Sequence, residues 1–301
     1  MIPKRTGDAF AEYESVRRVL PPAQSPTRVP TYLDTLADIA DRFDVFLLDA
    51  FGVLNIGENA IPGTPERVAD LITAGKRVLV VSNAASMPKE ALVSKYQNLG
   101  YPFEADDVIS SRDALAEGML RRGDLHWGVM ADSRDDLSDL GDQRMSILGD
   151  NSAIYDAVDG ILMVGSASWT ENRQALLEAS LGRYLRPVLV GNPDIVAPRE
   201  THFSPEPGHY AHRLTEKTGV APEFYGKPFR NIYDLVFSKV GSVDLTRVIM
   251  VGDTLHTDIL GAHTAAVASA LISEYGFFAG NNPASAIAAS GISPTYVLTR
   301  P

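Results

Sequence analysis

No cysteine occurs in the 301 residues of this sequence. That excludes a disulfide framework, thiol nucleophiles and thiolate metal sites together, and it suits a reducing compartment. Basic residues are in deficit: 27 Lys and Arg stand against 38 Asp and Glu, a net charge of -11. A nucleic-acid partner needs a basic face, so none is expected. An anionic small substrate stays open, because a metal ion or a single Lys can reverse the local field. No apolar run reaches the ~20 residues that span a bilayer, and the N-terminus lacks the apolar core of a signal peptide. No membrane association is expected, and cytoplasmic is the default location. Internal repeats and low-complexity tracts are also missing. What is present is an ordinary globular composition, 45% apolar and 22% charged, at a length that allows a substantial core and about two domains.

The stretch from Asp44 to Gly57 organises the rest. Val45 to Leu48 is a short apolar run without helical period, the mark of a strand buried on both faces of a parallel sheet. It ends at a carboxylate, Asp49, and Gly52 then permits a sharp departure of the backbone. A carboxylate at the carboxyl end of a buried parallel strand lies where open α/β sheets bind ligands. Taken alone, Asp49 reads equally well as a turn cap.

In chain order, residues 1 to 40 read as an N-terminal extension: a weak helix near Asp8 to Leu20, then a Pro-rich extended linker. Leu33, Leu36, Ile39 and Phe43 fall at helical spacing and predict a helix covering a sheet edge. Thr64-Pro65-Glu66 starts a helix that stops at Gly75. Arg77 to Val81 is the next buried strand, ending at Ser82-Asn83. A strand, helix and strand of this length form a right-handed unit with parallel strands. A helix from Pro88 to Leu99 and a strand from Asp107 to Ser110 follow. From about Asp124 the segments shorten: Trp127 to Ala131, Gly160 to Val164, a helix Glu171 to Tyr184, and Pro187 to Val190 before the turn Gly191-Asn192-Pro193-Asp194. This predicts a smaller α/β unit over 124–205, inserted into a first domain formed by 41–123 and 206–301. His209 to Thr218 reads as the returning helix. Phe224-Tyr225-Gly226-Lys227-Pro228 puts a lone Lys in a tight turn. The strand Val248 to Val251 ends at Gly252-Asp253-Thr254-Leu255-His256-Thr257-Asp258, and Ala268 to Ile272 is a further strand. The predicted architecture is α/β, a doubly wound parallel sheet with an inserted α/β cap.

Asp49, Ser82-Asn83, Lys227 and Asp253 with Asp258 therefore share one rim. Each is weak alone; in this order they suit phosphoryl transfer through an aspartyl-phosphate, in which a carboxylate attacks phosphorus and divides hydrolysis into two easier steps. Two anions approach only with charge neutralisation, which Mg²⁺ supplies through oxygen ligands. Asp49, Asp253 and the backbone carbonyl of Phe51 are the expected ligands, with Asp258 a ligand or a supporting partner. Lys227 would steady the developing charge. Ser82, with backbone N–H groups at a helix N-terminus, would hold the phosphoryl oxygens. Ordinary roles account for other residues near these motifs: His256 as a locally bonded helix-start residue, Trp127 and Trp169 as packing, Arg199 and His202 as solvated loop residues.

With these motifs on the page, the chain resembles the haloacid dehalogenase (HAD) superfamily, subclass IIA, the branch with nitrophenyl-phosphate and sugar-phosphate phosphatases. The resemblance spans residues 44 to 275 and rests on Asp49-Ala50-Phe51-Gly52-Val53-Leu54, Ser82-Asn83, Gly191-Asn192-Pro193-Asp194, Gly226-Lys227-Pro228 and Gly252 to Asp258. It implies a Rossmann-like core, an aspartyl-phosphate on Asp49, a small phosphorylated substrate, and a cap that selects it; Asn192 and Asp194 would face that substrate, together with Ser82 and Asn83. Caps of this type often take part in dimer contacts, so a homodimer is an expectation. One departure matters. Phosphatases of this family usually carry a second Asp two residues after the nucleophile, where this chain has Phe51. General acid–base help is worth roughly a hundred- to ten-thousand-fold, so a slow phosphatase is expected. Alternatives are a catalytically idle phosphate-ligand binding protein, or a dehalogenase-like enzyme using Asp49 on carbon.

Overall fold

The computed structural model describes residues 5–24, 29–198 and 203–301. Val45–Leu48 is a strand with all four residues buried, since both of its faces are covered. It lies inside a seven-stranded sheet ordered Thr31–Leu33, Tyr296–Leu298, Ala268–Ile272, Val248–Gly252, Val45–Leu48, Arg77–Ser82 and Val108–Ser110. All six pairings are parallel. From Val45–Leu48 the chain winds outward to Arg77–Ser82 and Val108–Ser110, then crosses to Val248–Gly252 on the other side. The switch between these two directions opens the crevice where such sheets bind ligands. Register does the rest: Leu48 pairs with Val251 on one side and Val80 on the other, so Asp49, Asp253 and Ser82 emerge together at the carboxyl edge.

One face of the sheet buries Phe46, Leu48, Val80 and Val251 with Leu36, Ile39 and Phe43. The other buries Leu47, Val81 and Met250 with Tyr233 and Val236 of the helix Arg230–Val240. Leu36, Ile39 and Phe43 thus cover the sheet, but through the 3₁₀ segment Leu36–Arg42, started by a reciprocal cap between Thr35 and Asp38. The expected linker before it also holds an edge strand, Thr31–Leu33. It is three residues long with two exposed, too short to show an alternating pattern. Residues 6–20 form the helix Thr6–Ser15 and a short 3₁₀ turn, Arg17–Val19.

The inserted unit has its own parallel sheet, ordered Glu223–Phe224, Val188–Val190, Gly160–Met163, Trp127–Met130 and Met145–Ile147. Its boundary differs from the expected 205. The helix Pro207–Thr218 buries Tyr210, Ala211 and Leu214 among Leu177, Leu181 and Val190 of the inserted unit, and Glu223–Phe224 extends its sheet. The return to the first sheet therefore falls near residue 225. The Pro and Gly at 205–208, where the sequence places the boundary, form a helix start, with Pro207 at the first helical position.

Candidate active site

Asp49 leaves the strand with its backbone N–H donating to Val251 O at 2.9 Å. Its Oδ1 accepts from Lys227 Nζ at 2.6 Å, and the same ammonium donates to Asp258 Oδ1 at 2.8 Å. Lys227 and Asp258 are fully buried. Burial alone would pull the Lys227 ammonium down; the charges of Asp258 and Asp49 outweigh it and hold the ammonium above its ordinary range. Burial and the Asp258 charge push Asp49 up to about 6 against the opposing Lys227. Asp253 is likewise raised, by burial first and then by Asp258 and Asp49.

Local backbone chemistry fixes these carboxylates. Asp253 Oδ2 accepts from Phe277 N at 2.7 Å and Oδ1 from Thr254 Oγ1 at 2.9 Å. Gly52 and Gly276, both at positive φ, back against this carboxylate closely enough that a Cβ at either would collide with it. The next segment begins with a π-helical turn, Leu255–Ile259, before the helix Leu260–Ala265. That wider turn lets Asp258 Oδ2 accept from the N–H groups of both Asp253 and Thr254, at 3.2 and 3.1 Å. Asp258 thus spans the Lys227 ammonium and the backbone of the neighbouring carboxylate.

The residues expected to hold substrate divide into two kinds. Ser82 borders the cavity, and its Oγ accepts from Ala84 N at 3.2 Å. The helix after it starts only at Lys89, so the N–H groups beside Ser82 belong to a loop and not to a helix N-terminus. Asn83 is engaged within the protein. Its Oδ1 accepts from Lys227 N at 2.7 Å, and its Nδ2 donates to Lys227 O at 2.9 Å and to Asp194 Oδ1 at 2.8 Å. It locks the Lys turn and ties it to the inserted unit. Asn192 shapes its own turn, accepting from Asp194 N at 2.9 Å and donating to Glu206 Oε2 at 3.3 Å. Burial, opposed by the Asn83 bond and Lys227, pushes the Asp194 carboxyl up to about 8.

These groups line a cavity of about 510 Å³ between the two units, with Phe51, Tyr96, Trp169 and Tyr210 supplying aromatic wall. Trp169 is therefore more than packing, whereas Trp127 is fully buried in the inserted unit. His256 lies under the N-terminal helix, its Nε2 2.6 Å from Glu14 Oε1. Arg199 and His202 lie outside the described residues. Sequence reasoning missed Tyr13 and Glu206, which also line the cavity. Tyr13 sits in a segment without motif, and Glu206 stands at the expected domain boundary.

Oxygens of Asp49, Asp253 and Asp258 come within 4.8 Å of one another. Two of these carboxylates, Asp49 and Asp258, share the Lys227 ammonium, and Asp49 and Asp253 are raised by burial first and then by neighbouring carboxylate charge. That hard, all-oxygen, electron-rich set fits a divalent cation such as Mg²⁺.

A hydrolase built on a doubly wound sheet, with a buried carboxylate–lysine centre under an inserted cap, is the class that fold and site define. The family described as haloacid dehalogenase-like hydrolase matches residues 46–141, and a second, HAD-hydrolase-like, matches 224–300; the chain belongs to this family. A 4-nitrophenylphosphatase of Schizosaccharomyces pombe is 24% identical over 268 residues, covering 78% of this chain and 85% of that protein. A glycerol-3-phosphate phosphatase of Gallus gallus is 29% identical over 295 residues, covering 88% and 92%. Among solved structures, a possible sugar phosphatase of Cytophaga hutchinsonii superposes with a TM-score of 0.78 at 21% identity, covering 90% of this chain and 98% of that one. A glycerol phosphate phosphatase of Mycobacterium tuberculosis in complex with calcium gives 0.69 at 21% identity, covering 87% and 74%.

Proposed function

We propose that the protein is a Mg²⁺-dependent phosphatase of small phosphate monoesters, with Asp49 as nucleophile. The observation that carries this reading is the placement of Lys227 Nζ on Asp49 Oδ1 beside the carboxylates of Asp253 and Asp258. The phosphatase names of the relatives support it, as does the calcium in one structural neighbour. Mg²⁺ held by Asp49, Asp253 and Asp258 would neutralise the phosphoryl group. The free Asp49 oxygen attacks phosphorus; an O–P bond forms to the carboxylate and the ester oxygen departs. Lys227 keeps Asp49 ionised and oriented. Water then cleaves the aspartyl-phosphate and restores the carboxylate. The departing oxygen needs a proton, and Phe51 has none to give. Asp194, in the cavity and protonated at neutral pH, is the carboxyl we assign to that task. A cytoplasmic setting and a homodimer through the cap complete the proposal.

Phosphate release from a panel of phosphate monoesters, with Mg²⁺ or with chelator, tests this. Release that needs metal and falls by at least about a thousandfold in Asp49→Asn is expected, because the carboxylate that forms the covalent bond to phosphorus is removed. Phe51 favours a second reading, an idle binder of phosphate esters: affinity without turnover in the wild type, little changed in Asp49→Asn. A dehalogenase using Asp49 on carbon would instead release halide, with or without chelator.

A further inference from the structure

The helix Thr6–Ser15 lies outside the residues matched by either family, yet it reaches both units. We infer that this segment is a working part of the active site: it straps the cap to the core, and Tyr13 is a positioning residue that sets the Asn192–Asp194 turn over the nucleophile.

Tyr13 is 2% exposed. On the cap side, the backbone N–H of Ile195 donates to Tyr13 Oη at 3.2 Å, directly after Asp194. On the core side, the Tyr13 ring stacks on His256, centroids 4.9 Å apart and planes within 10°, and meets Phe277 edge-on at 6.2 Å. His256 lies between Asp253 and Asp258 in the chain, and Phe277 N donates to Asp253. The same helix adds Glu14 against His256 Nε2 and Thr6 Oγ1 donating to Phe277 O at 3.2 Å. Ala9, Tyr13 and Leu20 share one apolar cluster with Ile195 and Val196 of the cap and Leu255, Ile259 and Phe277 of the core.

A helix of ten residues is not stable by itself in water; its order comes from docking on both units at once. Parting the cap from the core therefore breaks either the Ile195 bond or the His256 stack. Two bonds tie the turn to residues outside the inserted unit, Asp194 on Asn83 and Ile195 on Tyr13, while Asn192 on Glu206 stays within it. Removing one should let the turn swing without unfolding anything else.

The variant that isolates this is Tyr13→Phe, which keeps the ring on His256 and removes only the acceptor for Ile195. Two readouts apply. Hydrogen exchange by mass spectrometry on the full chain should show exchange over residues 192–197 faster by roughly two- to tenfold, the range one neutral hydrogen bond supports, with Val248–Gly252 unchanged. In Mg²⁺-dependent phosphate release from an alkyl monoester, kcat should fall by a similar factor, because the loosened turn carries Asp194, whereas on nitrophenyl phosphate, whose leaving group needs no proton, it should change by less than about twofold; this arm rests on the phosphatase reading. Unchanged exchange at 192–197 overturns the strap, and so does exchange that rises equally in Val248–Gly252, which would make the helix general support for the fold. An unchanged kcat on the alkyl monoester alongside faster exchange overturns the positioning role of Tyr13. A wild type that releases no phosphate overturns the phosphatase reading alone, because the exchange experiment still decides the strap.

Discussion

Phe51 borders the same cavity as Asp49 and Asp194, at the position where the family resemblance implies a proton-donating Asp. Replacing it tests both the deficit and its remedy. Phe51→Asp is expected to raise kcat by roughly tenfold or more on alkyl phosphates, whose leaving groups need a proton, and little on nitrophenyl phosphate, whose leaving group does not. The pH profile follows from two carboxyls with opposite duties. Asp49 must be ionised, and its value near 6 makes kcat/KM fall as pH drops through 6; bound metal shifts that limb lower. Asp194 must keep its proton, so with a value near 8 the rate falls as pH rises through 8. Asp194→Asn should lower kcat and erase the alkaline limb; a limb that persists in this variant sinks the assignment. At this scale the sequence was informative where a residue sits at a strand end. Asp49, Asp253, Asp258 and Lys227 were placed on one rim, and the fold brings them together. The bonds of Asn83 were illegible because its partners, Asp194 and Lys227, lie 111 and 144 positions away, and no local pattern announces them.

The joint between the two units depends on single side chains anchored in secondary structure. Arg112, 2% exposed in the helix Ser111–Leu120, donates through Nη1 to Ala85 O at 2.8 Å and through Nε to both oxygens of Asp139 at 3.0 and 3.1 Å. Its Nη2 also reaches Asp136 O and Asp139. One guanidinium thus holds the loop after Ser82 against the segment that follows the cap strand Trp127–Met130. Arg112→Ala strands these acceptors; breaking such a buried pair costs about 3 kcal/mol, read as a lowered denaturation midpoint. Arg112→Lys should recover little of it, lacking the planar fork. Nothing in the order of residues revealed this joint, although strands and helices around it were legible from apolar runs and caps. The boundary near 225 was illegible for the same reason: a two-residue strand, Glu223–Phe224, has no periodicity, and only its pairing with Val188–Val190 reveals where it belongs.

Across the whole molecule, the functional rim is a store of electrostatic tension. Asp49, Asp194 and Asp253 are all raised above the ordinary carboxylate range, each chiefly by burial. A carboxyl raised in the folded state binds protons more tightly than in the unfolded chain. Its contribution is favourable below pH ~4, where both states are protonated, and is lost as pH rises through the folded value. For Asp49 and Asp194 that window closes near 6 and 8. The metal-free protein should therefore lose a few kcal/mol of stability between pH 5 and pH 8, on the scale of 1.36 kcal/mol per pKa unit. A divalent cation reverses the balance, since it favours the ionised forms and binds only the folded rim. Mg²⁺ at about a hundred times its dissociation constant adds roughly 2.7 kcal/mol, and protons compete with it at low pH. Thermal melts with Mg²⁺ and with chelator should therefore diverge strongly at pH 8 and converge near pH 5. Asp253→Asn removes a carboxyl whose ionised form is disfavoured by burial and by Asp258 and Asp49: its metal-free melting temperature at pH 8 should not fall below that of the wild type, and its gain from Mg²⁺ should largely vanish. A gain from Mg²⁺ that is equal at both pH values, or that survives in Asp253→Asn, would place the cation somewhere other than this rim.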